Sequence, residues 1–496
     1  MSESTDHATE PLATLPQARA TPLIATWHSP QRGAFRFAFS YFTLYNASAL
    51  MGIVGGFAAT TVTYIAGLVS GAASPGAGTA TNSAQGAIYG FVYAPITAFQ
   101  LVMRTVVPWV GKHVLQLPKD ITIFPAGSGD TTYNYVEILV FAAIAMLITV
   151  VWSIVAHIRR NGRHAAYVRL HDLLRIQLRY VLAMTLIGYG LSKVFVSQFP
   201  APSLDALVTT YGESSPMGIL WRFIGASAPY EIFSGVMECL GGVLLLWRRT
   251  TTLGALVTIA VMTNVVMLNY CYDVPVKLYS SHLLLMAAFL TLPESRRLFR
   301  LFFLNRPVEA AVLRPVVAPL WWRLARCGAK YVFLGVTLVT TSLSHYTMSQ
   351  RYGSAAPKPA LYGLYDVESF NADGTDLPPL LTDTKRWRRV IVDRWGGVSL
   401  AKMDGGREYY SVLVDETART IALSAPRQRF AAASSTEPAP TPLATFAFGR
   451  PEPDRLIIEG TLNGVKLDVK LKRVDESSML LLNRGFHWVN EYPFNR

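Results

Sequence analysis

Two glutamates in an otherwise apolar stretch are the residues whose positions most strongly suggest chemistry. Glu231 and Glu238 lie seven residues apart in the run 230–247, so in a helix they share one face. Gly235 and Gly242 fall on the same face, where small residues let a second helix approach closely. An ionisable group in such a segment is costly to bury and serves an internal pair or a pathway. Glu238 is therefore interpreted either as a protonated or hydrogen-bonded structural residue or as a proton-exchange or ligand site.

Several more polar side chains fall towards the ends of the neighbouring apolar runs, at one predicted depth. Lys193 is predicted to balance Glu238 or Asp273, because a buried charge that loses its partner destabilises a protein. Asp130 lies in a Gly- and Ser-rich turn, and it either caps the helix that follows or folds over a pocket. We assign no catalytic residue. The candidates for ligand binding or proton exchange are Glu238, Lys193, Asn264, Asn269, Asp273, His282 and Asp130.

The spacing of histidines and cysteines gives little support to metal or haem chemistry. The nine histidines form no His-Glu-x-x-His pattern, and the three cysteines form no Cys-x-x-Cys pair. His282 and His345 are both predicted near the same membrane face, where two imidazoles could ligate a haem iron. This alternative is kept open. We nevertheless expect no metal site, disfavour haem and take a quinone as the ligand class to test.

The amino-acid composition places most of the chain in a membrane. Charged residues make up 16% of the 496 residues, against about 25% in an ordinary soluble domain. Residues 351–496 hold 20 basic and 18 acidic side chains, whereas residues 1–350 hold 25 and 14. The basic excess therefore belongs to the apolar part, where it suits a membrane surface. The lipid bilayer is the expected partner, and we expect no nucleic acid partner.

Apolar runs of about 20 residues predict a polytopic α-helical bundle of about seven transmembrane helices within residues 34–350. Residues 1–33 lack an apolar core and are expected to form a disordered cytoplasmic tail rather than a signal peptide. The segment 95–117 carries Arg104, Lys112 and Pro108, which favours an amphipathic helix in the interface, with a further crossing as the alternative. The predicted spans are 35–71, 135–157, 176–195, 230–247, 252–270, 280–293 and 329–346.

Arginines in alternate short loops give the predicted orientation. Arg159 and Arg160 follow the second span, Arg248 and Arg249 the fourth, and Arg296 begins a basic run after the sixth. Basic residues in short loops stay on the cytoplasmic side of a membrane. We therefore expect a multi-pass protein of the bacterial inner membrane. Its amino terminus is expected in the cytoplasm, and its C-terminal domain in the periplasm or outside the cell.

Residues 351–496 predict a small all-β extracytoplasmic domain, because apolar and polar residues alternate in short runs. Asn463-Gly464 suits a two-residue hairpin turn. A sandwich and a barrel are both compatible with the pattern. The aromatic ending 485–496 is expected to close one mouth of the domain and bury Trp488 and Tyr492, with an interface as the alternative. The predicted strands are 389–395, 409–415, 419–423, 444–448, 456–462 and 465–471.

Residues 177–297 resemble DoxX-like membrane proteins. The residues that carry the likeness are Tyr189-Gly190-Leu191-Ser192-Lys193, Gly235, Glu238, Gly241, Gly242 and Arg248-Arg249-Thr250. The resemblance implies a four-helix core and, for some relatives, a role beside quinone-linked sulfur oxidation or other respiratory redox complexes. This chain departs from the simplest members by its added amino-terminal elements, a seventh span and an exported domain. The resemblance supplies no catalytic residue.

Two functions of different classes follow as expectations. The leading one is a DoxX-like inner-membrane component of a quinone-linked respiratory or redox complex, with a small apolar ligand in the outer half of the bundle. In that site Glu238 exchanges protons, Lys193 holds an anionic oxygen, and Asn269 and His282 hydrogen-bond the ligand. The alternative is a non-enzymatic membrane anchor or assembly protein whose β domain recruits an envelope partner. The sequence leaves open whether the protein is an enzyme.

Overall fold

A computed structural model describes residues 27–69, 79–123, 128–159, 167–309, 319–426 and 441–495. Within these ranges the chain forms a helical domain followed by a β domain. The helices are α1 Ser29–Tyr45, α2 Ala47–Val69, α3 Thr79–His113, α4 Thr132–Ile158, α5 Val168–Val194, α6 Leu204–Val208, α7 Pro216–Gly225, α8 Ala228–Leu245, α9 Thr251–Cys271, α10 Lys277–Thr291, α11 Ser295–Phe302, α12 Leu320–Tyr352 and α13 Leu480–Asn483. The strands are β1 Gly363–Ala372, β2 Thr375–Asp376, β3 Trp387–Val392, β4 Gly397–Lys402, β5 Arg407–Asp415, β6 Thr420–Ser424, β7 Ala444–Glu452, β8 Arg455–Leu462 and β9 Val465–Val474.

Four helices form the centre of the helical domain. α5 packs on α8, α8 on α9, α9 on α10, and α10 returns to α5, so the four close into a ring. Their shared core includes Leu182, Leu186, Met286 and Leu290. α1 and α4 pack together and α1 also contacts α5. The predicted disordered tail, residues 1–33, extends too far, because α1 already begins at Ser29. Residues 1–26 lie outside the described ranges.

Glycines set how closely α5 and α8 approach. A Cβ atom on Gly190 would lie 2.6 Å from the carbonyl oxygen of Gly235, and one on Gly235 would lie 2.5 Å from the carbonyl oxygen of Gly190. Gly242 repeats the contact two turns further on, 2.9 Å from the carbonyl oxygen of Ala183. No real Cβ atom fits at such distances, so backbone meets backbone along this seam. The predicted role of Gly235 and Gly242 is confirmed.

Three helical segments are long and apolar enough to cross a membrane, namely Gly90–His113, Thr132–Ile158 and Thr251–Cys271. A fourth is added if α1 and the first half of α2, which meet at a bend of 50°, count as one span. The described helices therefore do not support seven spans by length and composition. α10 has only 15 residues, and α5 and α8 carry ionisable side chains. The segment 95–117 was expected to lie in the interface, but its length and apolarity instead suit a crossing.

The β domain is an antiparallel barrel rather than a sandwich. Neighbouring strands pair in the order β1, β3, β4, β5, β6, β7, β8 and β9, and β9 pairs with β1 to close the ring, while β2 extends β1. Asn463 and Gly464 have φ angles of 52° and 83°, so the predicted hairpin turn is confirmed. The predicted strands do not include β1, the two-residue β2 or β4. β1 and β4 have several consecutive buried residues, and a period of two cannot detect such runs.

The barrel is filled by its own side chains. Phe370, Trp387 and Phe446 meet edge to face inside it. The cavity that remains has a volume of about 30 Å³, close to the volume of one water molecule in the liquid. The ending 485–496 does not close a mouth of this barrel, since Trp488 and Tyr492 are 91% and 84% exposed. The expected burial of these aromatic residues is wrong because the strands already complete the core.

Helix α6, in the connection between α5 and α8, holds the barrel. Leu204 packs against Leu364 of β1 and Ile391 of β3 on the outer wall of the barrel. The Arg407 guanidinium donates to Asp205 at 2.8 Å and to Thr209 at 3.2 Å. The two domains are thereby joined by packing and by charge as well as by the chain after α12.

We predict that Gly190→Ala loosens the bundle. The added methyl group would sit against Gly235 and the Cys239 sulfur, and overpacking of this kind costs about 1–3 kcal/mol. Gly188→Ala is the matched control, because it lies in the same helix with no atom within 4 Å of the new Cβ. The thermal midpoint in detergent should fall for Gly190→Ala alone. Equal midpoints for the two variants would contradict the close seam.

Candidate functional site

A buried ion pair joins α5 to α8. The Lys193 ammonium donates to both carboxylate oxygens of Glu238, at 2.9 and 2.8 Å. Only 7% of Lys193 and 2% of Glu238 is exposed. The Lys193 stem passes over Gly235, where a Cβ would come within 2.8 Å of the Lys193 Cβ. Of the two partners predicted for Lys193, the structure selects Glu238.

Glu231 completes a second buried contact on the same face of α8. Its side chain is 0% exposed, and Oε1 accepts the Phe199 backbone N–H at 3.0 Å. Oε2 has no hydrogen-bond partner among the described residues. The sequence analysis placed Glu231 on this face but left it out of the candidates. Its spacing of seven residues from Glu238 was the signal for including it.

Lys193 binds Glu238 and also interacts electrostatically with Glu231. Its ammonium is 6.0 Å from the ring centre of Phe199, the residue whose backbone N–H binds Glu231. Two carboxyl groups therefore share the neighbourhood of one ammonium in a region closed to solvent. Such an arrangement favours a proton on one of the two carboxyl groups, since a second uncompensated charge is costly to bury. Chemically, the cluster is able to hold and exchange a proton.

Two aromatic side chains of α1, Tyr41 and Tyr45, contact His282. Tyr41 OH lies 2.6 Å from Nε2, and Nδ1 lies 2.7 Å from the carbonyl oxygen of Leu278. Because a carbonyl accepts only, Nδ1 carries the proton and Nε2 accepts from the tyrosine. The Tyr45 ring stacks on the imidazole at 4.1 Å. Both ring nitrogens are thus occupied within the protein.

Asn269 has a partner inside the bundle as well. It is buried, and its amide donates to the Ser280 hydroxyl at 3.0 Å, which ties α9 to α10. Asn264 is exposed on α9, and Asp273 is exposed after it, where Asp273 pairs with Lys277 at 2.7 Å. These three candidates do not meet Glu238 in one pocket.

Asp130 caps a helix, but not the one that follows it. Its carboxylate accepts the backbone N–H groups of Lys277 and Leu278 at 2.7 and 2.9 Å, at the start of α10. Thr131 caps α4 instead, by accepting from the Asn134 N–H. The expectation for Asp130 was therefore wrong about the helix. Asp130 binds the free backbone N–H groups of a helix that lies far away in the sequence. A sequence pattern does not reveal such a contact.

Within the described ranges, no group of three or more His, Cys, Asp or Glu side chains could hold a metal ion. His345 lies on α12 beside the backbone of Gly188 on α5, whereas His282 bonds to Tyr41 of α1. The two histidines therefore contact different elements. The arrangement gives no support to the haem alternative.

An apolar cavity of about 270 Å³ lies between α2, α5 and α12. Gly188 and Ile187 of α5 form one wall, and Gly52 and Gly56 of α2 form another. Thr337, Thr340 and Thr341 bring hydroxyl groups from α12. The remaining lining residues are Ile53, Phe57, Met184, Leu334, Val336 and Leu338. None of the seven predicted site residues lines this cavity. The sequence analysis missed it, because three helices distant in sequence form it.

The fold and the site define a class of protein: a helical domain with segments long and apolar enough to cross a membrane, a buried Lys–Glu pair between two of its helices, and a closed β-barrel attached to it. No protein-family model matches the chain, and no solved structure matches it. Over 134 residues the chain is 37% identical to "Uncharacterized protein YwoB" of Bacillus subtilis (strain 168), a match that covers 27% of this chain and 83% of the Bacillus protein. The chain belongs to the same family as that protein. The name of this relative assigns no activity.

We predict that breaking the Lys193–Glu238 pair is more damaging than removing it. Lys193→Met leaves a buried carboxylate and Glu238→Gln a buried ammonium, and loss of one partner costs about 3–5 kcal/mol. The double variant Lys193→Met/Glu238→Gln should recover most of that loss. Stability is read as the thermal midpoint of the purified chain in detergent.

An exposed pair provides the control for this cycle. Lys112 and Asp120 lie 3.4 Å apart with most of both side chains in solvent, so Lys112→Met should change stability by less than about 1 kcal/mol. If the double variant is as unstable as the less stable of the two single variants, packing rather than charge stabilises the contact between α5 and α8.

Proposed function

We propose that this is a polytopic protein of the bacterial inner membrane whose helical domain binds a small apolar molecule of the quinone class, as a component of a redox complex. The observation that carries the proposal is the cavity between α2, α5 and α12. The DoxX-like resemblance of residues 177–297 agrees with a redox setting, and the ring of α5, α8, α9 and α10 agrees with the four-helix core that it implies.

The cavity has the size and chemistry for the ring or first isoprenoid units of such a molecule. Its volume of about 270 Å³ is near the lower end of the usual range for small-molecule sites, about 300–1,000 Å³. Glycine and aliphatic side chains supply apolar walls, and threonine hydroxyls on α12 supply hydrogen-bonding groups. Those features suit a flat ring that carries carbonyl or hydroxyl oxygens.

Helix α5 connects this cavity to the buried ion pair. Gly188 faces the cavity, and Lys193, five residues further along, faces α8. We assign proton exchange to Glu238 and charge compensation to Lys193, because a quinone takes up protons when it is reduced. Asn269 and His282 are bound to protein partners, so we assign them to helix packing rather than to the ligand.

The crossings by α5 and α8 remain part of the proposal. Lys193 of α5 and Glu238 of α8 pair inside the bundle, and with 7% and 2% of their surfaces exposed they do not face lipid. Arg159 follows α4 and Arg248 follows α8, both at helix ends remote from the barrel. Basic residues favour the cytoplasmic side, so the barrel is assigned to the periplasmic or external face.

Filling the cavity tests the ligand assignment. The chain is purified in mild detergent, and quinones are extracted and counted by mass spectrometry. Gly188→Leu adds a side chain at the wall of the cavity, where no atom lies within 4 Å of the new Cβ. We expect about one quinone per chain in the wild type and about tenfold less in Gly188→Leu, a loss that corresponds to about 1.4 kcal/mol.

Gly335→Leu is the matched control for the cavity. It lies on α12 with open space at its Cβ and does not line the cavity, so it should retain the quinone. Equal quinone in Gly188→Leu and wild type would place the ligand elsewhere. A wild type with phospholipid alone would favour the alternative function, recruitment of an envelope partner by the β domain.

The proton role has a separate spectroscopic test. In the quinone-loaded protein, the infrared difference spectrum between oxidised and reduced states should contain a carboxyl band. Glu238→Gln should abolish that band and leave the quinone bands in place. A band that persists in Glu238→Gln would assign the exchanging carboxyl to another residue, with Glu231→Gln as the next variant.

A further inference from the structure

The described carboxyl-terminal segment presents large apolar side chains to the outside. Leu480, Leu481 and Leu482 of α13 are all exposed, and Phe486 and Trp488 follow with most of their surface free. Exposed leucines are common one at a time, but a continuous apolar surface on a folded protein marks a contact site. This segment, residues 480–495, is called the hook below.

The hook is folded on itself. The Arg484 guanidinium stacks over the Phe494 ring at 4.1 Å and donates to the Asn490 side chain at 2.7 Å. Phe486 and Trp488 meet edge to face with ring centres 5.0 Å apart. These contacts bring the two ends of the hook together. They also hold its aromatic rings outward, away from the filled barrel.

The hook leaves the barrel at the seam with the helical domain. Met479, directly before it, packs in one cluster with Leu204, Leu207 and Val208 of α6. A few residues earlier, Glu476 pairs with Lys358 at 3.3 Å, in the chain that descends from α12. The first residue of the hook is therefore next to the end of the helical bundle, where a membrane surface would lie.

More exposed aromatic residues lie in the segment that runs from α6 into α8. Tyr211 and Phe223 lie between the two helices and Tyr230 lies in the first turn of α8, and each is exposed. Aromatic side chains of this kind concentrate where a membrane meets water, since their rings are amphipathic. The hook continues a surface that already has an interfacial composition.

We infer that the hook binds the lipid bilayer itself, by inserting the α13 leucines and Trp488 into the interfacial layer beside the bundle, and so seats the barrel on the membrane. Arg484 and Glu491 balance each other in charge, so the attraction is apolar and does not need anionic lipid. This inference does not depend on the ligand in the cavity.

The test places an environment-sensitive label in the full-length chain. Trp488→Cys and Leu481→Cys are each labelled with a nitrobenzoxadiazole dye, after the exposed Cys271 and Cys327 are changed to Ser. The protein is reconstituted in phosphatidylcholine vesicles with or without lipid that carries a doxyl quencher near its headgroup. Thr445→Cys is the control, because Thr445 is exposed on β7, across the barrel from β1 and β3.

We expect blue-shifted emission and about twofold or stronger quenching at both hook positions, since interfacial segments bury about 5–10 Å into the headgroup region. Thr445→Cys should show neither effect. Unquenched, red emission at the hook would overturn the inference. Blue-shifted emission without doxyl quenching would also overturn it, because that result shows contact with a second copy of the chain rather than with lipid. A shared response at positions 481 and 488 excludes a label artefact.

Discussion

The close contact between α5 and α8 is the constraint on which the helical domain depends. Gly190 and Gly235 let the two backbones touch, and this contact brings the Lys193 ammonium onto Glu238 in a region without solvent. A bulkier seam would separate the charges and leave each buried alone, which is far more costly than the pair. The ion pair therefore depends on the two glycines. α9 and α10 complete the ring around it.

The same two helices also carry the barrel. Their connection forms α6, whose Leu204 packs on β1 and β3 and whose Asp205 binds Arg407. A shift of α5 against α8 would change the spacing of the two ends of this connection. The barrel is thus attached to the part of the chain whose ends such a shift would move. The linker after α12 is held to the same connection by a hydrogen bond from the Ala201 N–H to the Ser354 hydroxyl.

The two domains divide the possible tasks. The barrel has almost no internal space, so any partner it has must meet its outer surface. The helical domain has the larger cavity, and its walls are apolar. A small molecule therefore has room among the helices but not inside the barrel. The exposed aromatic hook lies at the boundary between them.

The sequence by itself determined that long apolar helices precede a β domain, and it determined the Asn463-Gly464 hairpin and the inward face of Glu238. Each depends on composition or on a short period, and both are local properties of the chain. Only the tertiary structure decided that Lys193 pairs with Glu238 rather than with Asp273, that Asp130 caps α10, and that the barrel closes through β1 and β9. It also brought α2, α5 and α12 around a cavity and left Trp488 outside the core. These contacts join residues that are far apart in the chain. No periodicity in the sequence shows which of several possible partners a polar or apolar side chain will contact.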